Sequence, residues 1–194
     1  MKKYFFYTTI ALAAFASCKN EPYKEEVEEI GRLRVKLVQT DSILKTVDAE
    51  DAERLGTEVR NNSQFIQFNL RKVGDTLDYP SALLLTNYQA LLRGFETVDE
   101  THKKITMAID SVEHNLDNLE HDLRNNSLAQ GLSPEECVEE ESEQVKELND
   151  RSKELQPLFV NTKASYDTLA PKIRDYMGKL NQRLSEKQAE PNKK

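Results

Sequence analysis

The side chains able to do chemistry are few and scattered. His114, Asp117 and His121 follow one another at i, i+3 and i+7. On a helix that spacing sets two imidazoles and a carboxylate along one face, donor types that hold a divalent metal. Three donors on one straight helix span two turns, about 10 Å, so no more than a pair of them can meet one ion. The simpler reading is a row of exposed polar side chains. His102 falls in register with apolar neighbours and reads as a buried polar layer that fixes helix register rather than as a proton shuttle. No Ser, Cys and His combination stands at a spacing that supports nucleophilic catalysis. The acidic runs KEEVEE (24–29) and EECVEEESEQ (135–144) read as solvated helix faces, with calcium chelation as the alternative. These residues point to no catalytic site, no cofactor and no metal.

The elements that carry them are long helices. The chain has 194 residues, 31% of them charged, with no Trp and only 6 Gly and 6 Pro, a composition that favours helix over sheet. Turn signals cluster in two places after Pro22, at VGDTLDYP (73–80) and NNSLAQGLSP (125–134). Between them Leu84, Tyr88, Leu91, Phe95, Val98, His102, Ile105, Ile109, Val112, Leu116, Leu119 and Leu123 alternate at spacings of four and three. That heptad stripe implies a left-handed supercoil. Val145, Leu148, Ser152, Leu155, Phe159, Thr162, Tyr166, Leu169, Ile173, Tyr176 and Leu180 repeat it, and the register runs through Pro157 and Pro171 without a slip. Kinks rather than breaks are expected at both prolines. The first segment gives Ile30, Leu33, Leu37, Thr40, Leu44 and Val47, slips near Ala49 to Ala52, and resumes with Leu55, Val59, Asn62, Ile66, Leu70 and Val73. The slip reads as a stutter within one helix. Ser133 and Glu136 form a capping box around Pro134, with Leu132 and Cys137 at the two staple positions. Helices over roughly 22–73, 80–126 and 134–187 then fold as an all-α, elongated antiparallel three-helix bundle or coiled coil, 22–187, with a flexible tail at 188–194. Spectrin-type bundles are similar in plan, without any shared sequence signature.

The start of the chain is of another kind. Lys2 and Lys3 precede an apolar run, Tyr4 to Ala16, that is too short to span a bilayer, which takes about 20 residues. It ends in Phe15-Ala16-Ser17-Cys18, which resembles the lipobox of bacterial lipoproteins, with Phe15 in place of the usual Leu. The resemblance implies a signal peptide over 1–17, cleavage before Cys18, lipid on its thiol, and a tether over 18–21. An ordinary secretory signal and an uncleaved anchor are the alternatives. Lys19 stands where an Asp would retain an enteric lipoprotein at the inner membrane, so the resemblance implies an outer-membrane protein, on the periplasmic or the surface face. KNEPYKEE (19–26) loosely resembles the surface-export signals of bacteroidete lipoproteins. With Cys18 committed to lipid, Cys137 is a small group closing a helix start, or the partner in a disulfide between chains. The chain ends in Lys193-Lys194, similar to Braun-type lipoproteins joined to peptidoglycan through a terminal lysine, although PNKK departs from their ending.

Four of the 12 aspartates precede Ser or Thr and then an aliphatic residue: Asp41-Ser42-Ile43, Asp75-Thr76-Leu77, Asp110-Ser111-Val112 and Asp167-Thr168-Leu169. The triplet is similar to the O-glycosylation motif of exported bacteroidete proteins, which implies Ser42, Thr76, Ser111 and Thr168 as acceptors. Helical packing also produces it, because the aliphatic member is often a heptad core position, as Val112 and Leu169 are.

The net charge of −7, which becomes −9 for residues 18–194, argues against nucleic acid, which needs a basic face. The expectation is a lipid-anchored, non-enzymatic envelope scaffold that binds an unidentified envelope protein, with oligomers open. A periplasmic chaperone or carrier holding an apolar client between helices is the alternative, and a wall tether a more distant one. Intact-mass analysis of the protein from its host is expected to find a chain beginning at lipid-modified Cys18, and each occupied acceptor adds a glycan mass. A mature chain beginning elsewhere removes the lipoprotein reading.

Overall fold

The computed structural model describes residues 22–74 and 76–189, so the leader, Cys18 and the last residues of the tail lie outside the described residues. Four helices follow in order: α1 Lys24–Leu44, α2 Ala49–Val73, α3 Tyr79–Asn125 and α4 Pro134–Ala189. The described residues contain no strand. α3 and α4 form one antiparallel hairpin, and α1 and α2 lie end to end along it without packing on each other. Cross-links set the register. Arg34 pairs with Asp117 and Glu120, Arg60 with Glu96, and Thr40 bonds Asn149. At 1.5 Å per residue the 56 residues of α4 make a rod about 84 Å long.

The architecture is the expected all-α bundle, with one correction. The first segment is two helices rather than one helix with a stutter. Core spacing stretches to five residues between Val47 and Ala52, more than a helix can absorb on one face. The chain breaks there instead. Thr46 turns its hydroxyl back to the Ile43 carbonyl, 2.7 Å, and the Asp48 carboxylate accepts from Asp51 N–H, 2.9 Å, capping a new helix. Val47, 4% exposed, plugs the core across the break.

The other ends are closed as their residue types dictate. Gly74 adopts φ 68°, and its N–H reaches the Leu70 carbonyl. Lys187 from α4 satisfies the carbonyls of Lys72 and Val73 at 3.2 and 2.7 Å. Asp78 caps α3 through Ser81 N–H, with Pro80 in the first turn, and Asn126 ends it in the left-handed region. At α4 half of the capping box forms: Glu136 N–H donates to Ser133 Oγ at 3.4 Å, and the Ser133 hydroxyl itself donates to the Glu135 carboxylate at 2.7 Å. The expected staple does not close, because Leu132 is 57% exposed and the buried side chain of that turn is Val138.

α4 runs unbroken through Pro157 and Pro171. Each ring removes one backbone bond, yet both prolines lie on the exposed side, where water serves the freed carbonyls.

One line of buried side chains runs the length of the rod, with Ile30, Leu33, Tyr88, Phe95, Ile105 and Leu116 fully enclosed. It follows the heptads with local departures. Leu85 rather than Leu84 is buried, since three consecutive leucines leave spacing unable to choose. Ala170 rather than Leu169 is buried after the aromatic layer, and Leu119, Tyr176 and Thr162 are half-buried. α3 and α4 approach closely at Gly94. A Cβ there would lie 2.8 Å from Thr162 Cγ2 and 2.9 Å from its Oγ1. Gly94→Ala is therefore expected to destabilise the chain by about 1–2 kcal/mol in urea melts despite its better helix propensity. Adding Thr162→Ala should remove the clash and raise stability above the parent. A double variant no more stable than Gly94→Ala alone would contradict this contact.

Candidate functional site

The residues singled out from the sequence do not converge. Ser42, Thr76, Ser111 and Thr168 are all exposed, which leaves each reachable, but they are spread along the rod. Ser42 and Thr168 donate to the Val38 and Ala164 carbonyls one turn back. Thr76 stands in the α2–α3 connection and Asp75 of its triplet lies outside the described residues. His114 and His121 are exposed, Asp117 is held by Arg34 at 2.7 Å, and His121 lies against the Asn125 amide. Among the described residues no group of three or more His, Cys, Asp or Glu is placed to hold a metal. Cys137 is half-buried at the start of α4 as a free thiol. Burial and the carboxylates of Glu140, Glu136 and Glu141 push the thiol up, away from thiolate chemistry.

His102 is half-buried rather than a core layer, because Val98 and Ile105 fill the seam on either side of it. The polar layers lie elsewhere. Thr40 is wholly buried, donates to the Lys36 carbonyl and accepts from Asn149 at 3.0 Å. Ser152 is wholly buried, and its hydroxyl has no hydrogen-bond partner. Both occupy heptad positions. Asn69 and Ser63, also buried, do not, and nothing in the apolar spacing marks them.

The densest polar group is the clasp between α2 and α4. Tyr88 and Tyr166 pack at a tilt of 32° with ring centres 6.2 Å apart, and Phe95 meets Tyr166 edge-on at 6.0 Å. Asn62 donates to the Tyr88 hydroxyl at 3.1 Å, Tyr166 bonds Glu58, and Arg174 lies 3.7 Å from Glu58. Burial, then Glu58, raises the Tyr166 phenol; burial also raises Tyr88. Two turns of α2 nearer the break, Asp51 is bound by Lys163 and Arg54. Burial opposes its charge, but those two hydrogen bonds outweigh burial and hold the carboxyl below its ordinary value. Both phenols are held neutral and both carboxylates are engaged, so the clasp fixes α2 on α4.

The surface is more informative than the ionisable groups. Residues 24–44, 105–126 and 134–155, the half of the rod where the chain enters, carry 19 acidic against 8 basic side chains. Residues 45–104 and 156–189 carry 13 against 14. Within that balanced half, α3 and α4 bound an open groove lined by Asn87, Ala90, Leu91, Ala164, Ser165, Thr168 and Leu169. The groove contains no charged residue. Helical periodicity extends it along Leu83, Asn87, Ala90, Gly94, Thr97 and Thr101 on α3 and along Leu158, Asn161, Ser165 and Thr168 on α4, all uncharged. Leu83 and Leu158 are exposed on it, 48% and 36%. Glu154 and Lys172 mark its two ends on α4.

No family model, curated protein or solved structure matches the chain. Among the described residues no helix is long and apolar enough to cross a membrane.

The clasp generates a pH dependence. An acid whose native value is raised contributes stability that is complete below its unfolded value and is lost as pH rises toward the native one. Stability is therefore expected to fall above about pH 10, the ordinary tyrosine value. Tyr88→Phe with Tyr166→Phe should flatten that fall in thermal melts between pH 9 and 11. An unchanged alkaline slope would count against the buried phenols as its cause.

Proposed function

We propose that the protein is a lipid-anchored helical scaffold of the bacterial envelope, which holds an interaction surface away from the membrane. The observation that carries this reading is the polarity of the rod. The chain enters beside Tyr23, whose hydroxyl bonds Asn126 at the α3–α4 turn. The uncharged groove lies in the other half, and Ala90 stands 35 residues of α3, about 53 Å, from that turn. A tether through Cys18 would set the acidic end against the bilayer and the groove far from it. Acidic faces are repelled by anionic headgroups, which favours a rod standing off the surface. The groove suits packing against another helix, since it combines apolar side chains with small and amide ones. Exposed Ser42, Thr76, Ser111 and Thr168 are compatible with a glycosylated envelope protein.

The carrier reading requires an apolar cleft between helices. The grooves beside α1 are apolar only in part, since Leu37, Val38 and Ile109 share one with Arg34, Asp41, Lys45, Asp110 and Glu113, and Ile43 and Val145 share the other with Lys36, Lys146, Asp150 and Lys153.

The test places a photo-crosslinking amino acid at Ser165 in the native host. Recovery with envelope membranes through a high-salt wash, with one discrete adduct, is the expected result. Recovery in the soluble fraction overturns the tether, and a broad ladder of unrelated adducts overturns the scaffold in favour of the carrier.

A further inference from the structure

We propose that the uncharged α3–α4 groove is a self-association surface, and that two copies overlap there antiparallel with their acidic ends pointing apart. The inference rests on the scaffold reading and names its partner as a second copy of this chain; because the overlap points the two tethered ends apart, that copy stands on a facing bilayer rather than beside the first.

The argument begins with charge. A surface rich in carboxylates keeps copies apart unless they meet where charge is absent. With 31% of residues charged, helical faces of this chain are interrupted by Asp, Glu, Lys or Arg at short intervals. The stretch Tyr79–Leu92 contains none, and between Leu158 and Leu169 the two charged residues, Lys163 and Asp167, fall off the groove side. Lys163 instead faces α2, where it pairs with Asp51. Two such faces meet without burying an unpaired charge, which a charged partner helix could not do.

Periodicity adds a second line. Leu83, Asn87, Ala90, Gly94, Thr97 and Thr101 alternate at four and three, as do Leu158, Asn161, Ser165 and Thr168 at three and four. Each long helix thus carries, beside its core stripe, a second uncharged row at this groove, whose floor is set where Gly94 meets Thr162 of the same chain. A second stripe is the pattern of a helix that packs on both sides. Asn87 supplies a polar position of the sort that fixes register in such seams.

Area sets the strength. From Leu83 to Thr101 the face is about 27 Å long, and two adjacent helices are about 20 Å wide. An overlap then covers about 540 Å² per copy, or about 1,100 Å² in total, just above the lower bound for a specific interface and in the range of weak, reversible ones.

Direction follows from the charge segregation. Side by side in parallel, the halves with 19 acidic and 8 basic residues would lie together. Overlapped antiparallel on the groove, those halves project in opposite directions and only the balanced halves meet. That arrangement brings α3 against α3 and α4 against α4, so Ala90 of one copy lies near Ala90 of the other. A parallel pair would set α3 against α4 and bring Ala90 to Ser165 instead.

The experiment uses the full-length chain in detergent, with Cys137→Ser in every variant so that background from Cys18 is common to all. Ala90→Cys is expected to form disulfide dimers at least tenfold above Asn61→Cys, whose exposed site lies on the outer face of α2. In sedimentation equilibrium the parent should dimerise reversibly at micromolar concentrations, and Ala90→Glu with Ser165→Glu should weaken the dimer at least tenfold while helical circular dichroism is unchanged. A parent monomeric at 100 μM, or charge substitutions without effect, overturns the surface. Stronger cross-linking between Ala90→Cys and Ser165→Cys than within Ala90→Cys overturns the antiparallel overlap. A discrete cellular adduct at Ser165 with a different protein overturns self-association and leaves the scaffold reading in place.

Discussion

A rod three helices wide has no interior beyond the line where their apolar stripes meet. Each helix must keep its stripe turned inward over its whole length, and at 3.6 residues per turn a seven-residue repeat holds only if the helices wind about one another. The other features follow from that line. Gly94 lets α3 and α4 close on Thr162, Thr40 and Ser152 enter the seam at its heptad positions, and charges are left to the outside. The break at Lys45 to Asp48 obeys the same constraint. Where the stripe skips to a five-residue spacing, the backbone interrupts itself to keep Ala52 and Leu55 in the core.

Much of this was legible because heptads are redundant. Twelve positions on the middle segment agree, so one dissenting residue does not shift the helix. The failures occur where one or two residues decide. His102 fits the spacing but is half-buried, since a stripe gives a direction from the axis and not the depth to which a partner covers it. The restart at Asp48 depends on one carboxylate and one N–H, which the slip near Ala49 marked only in position. At Ser133 the spacing marks the bond from Glu136 N–H but not the one its hydroxyl makes to the adjacent Glu135 carboxylate, a contact between neighbours that a spacing rule does not contain. The clasp of Glu58, Tyr88, Tyr166 and Arg174 was hidden because its members come from three segments whose relative stagger is set by the loops.

The candidate surface was legible only in hindsight of the fold. An uncharged run such as Tyr79–Leu92 reads in sequence as core, and half of it is. The other half acquires meaning when α4 sets Ser165 and Thr168 beside it. Charge segregation is invisible in sequence for the same reason. Acidic runs at 24–29, 110–122 and 135–154 are far apart along the chain, and the hairpin stacks them at one end.

The discontinuity between α1 and α2 also decides how the molecule would carry load. In a chain held at Cys18 and pulled from the far end, tension enters through α1. That helix buries Ile30, Leu33, Leu37, Thr40 and Leu44, and of the four residues that follow it α2 bonds back only to the last two, through Ala49 N–H on the Val47 carbonyl and Ala52 N–H on the Asp48 carbonyl. α2 is secured separately, by Asp51 on Lys163 and by Lys187 on its last carbonyls. Rupture would stop at Asp48. The 21 residues of α1 would lengthen from about 32 Å to about 70 Å while the rest of the rod stayed folded, a strain-limiting slack between the two points of pull.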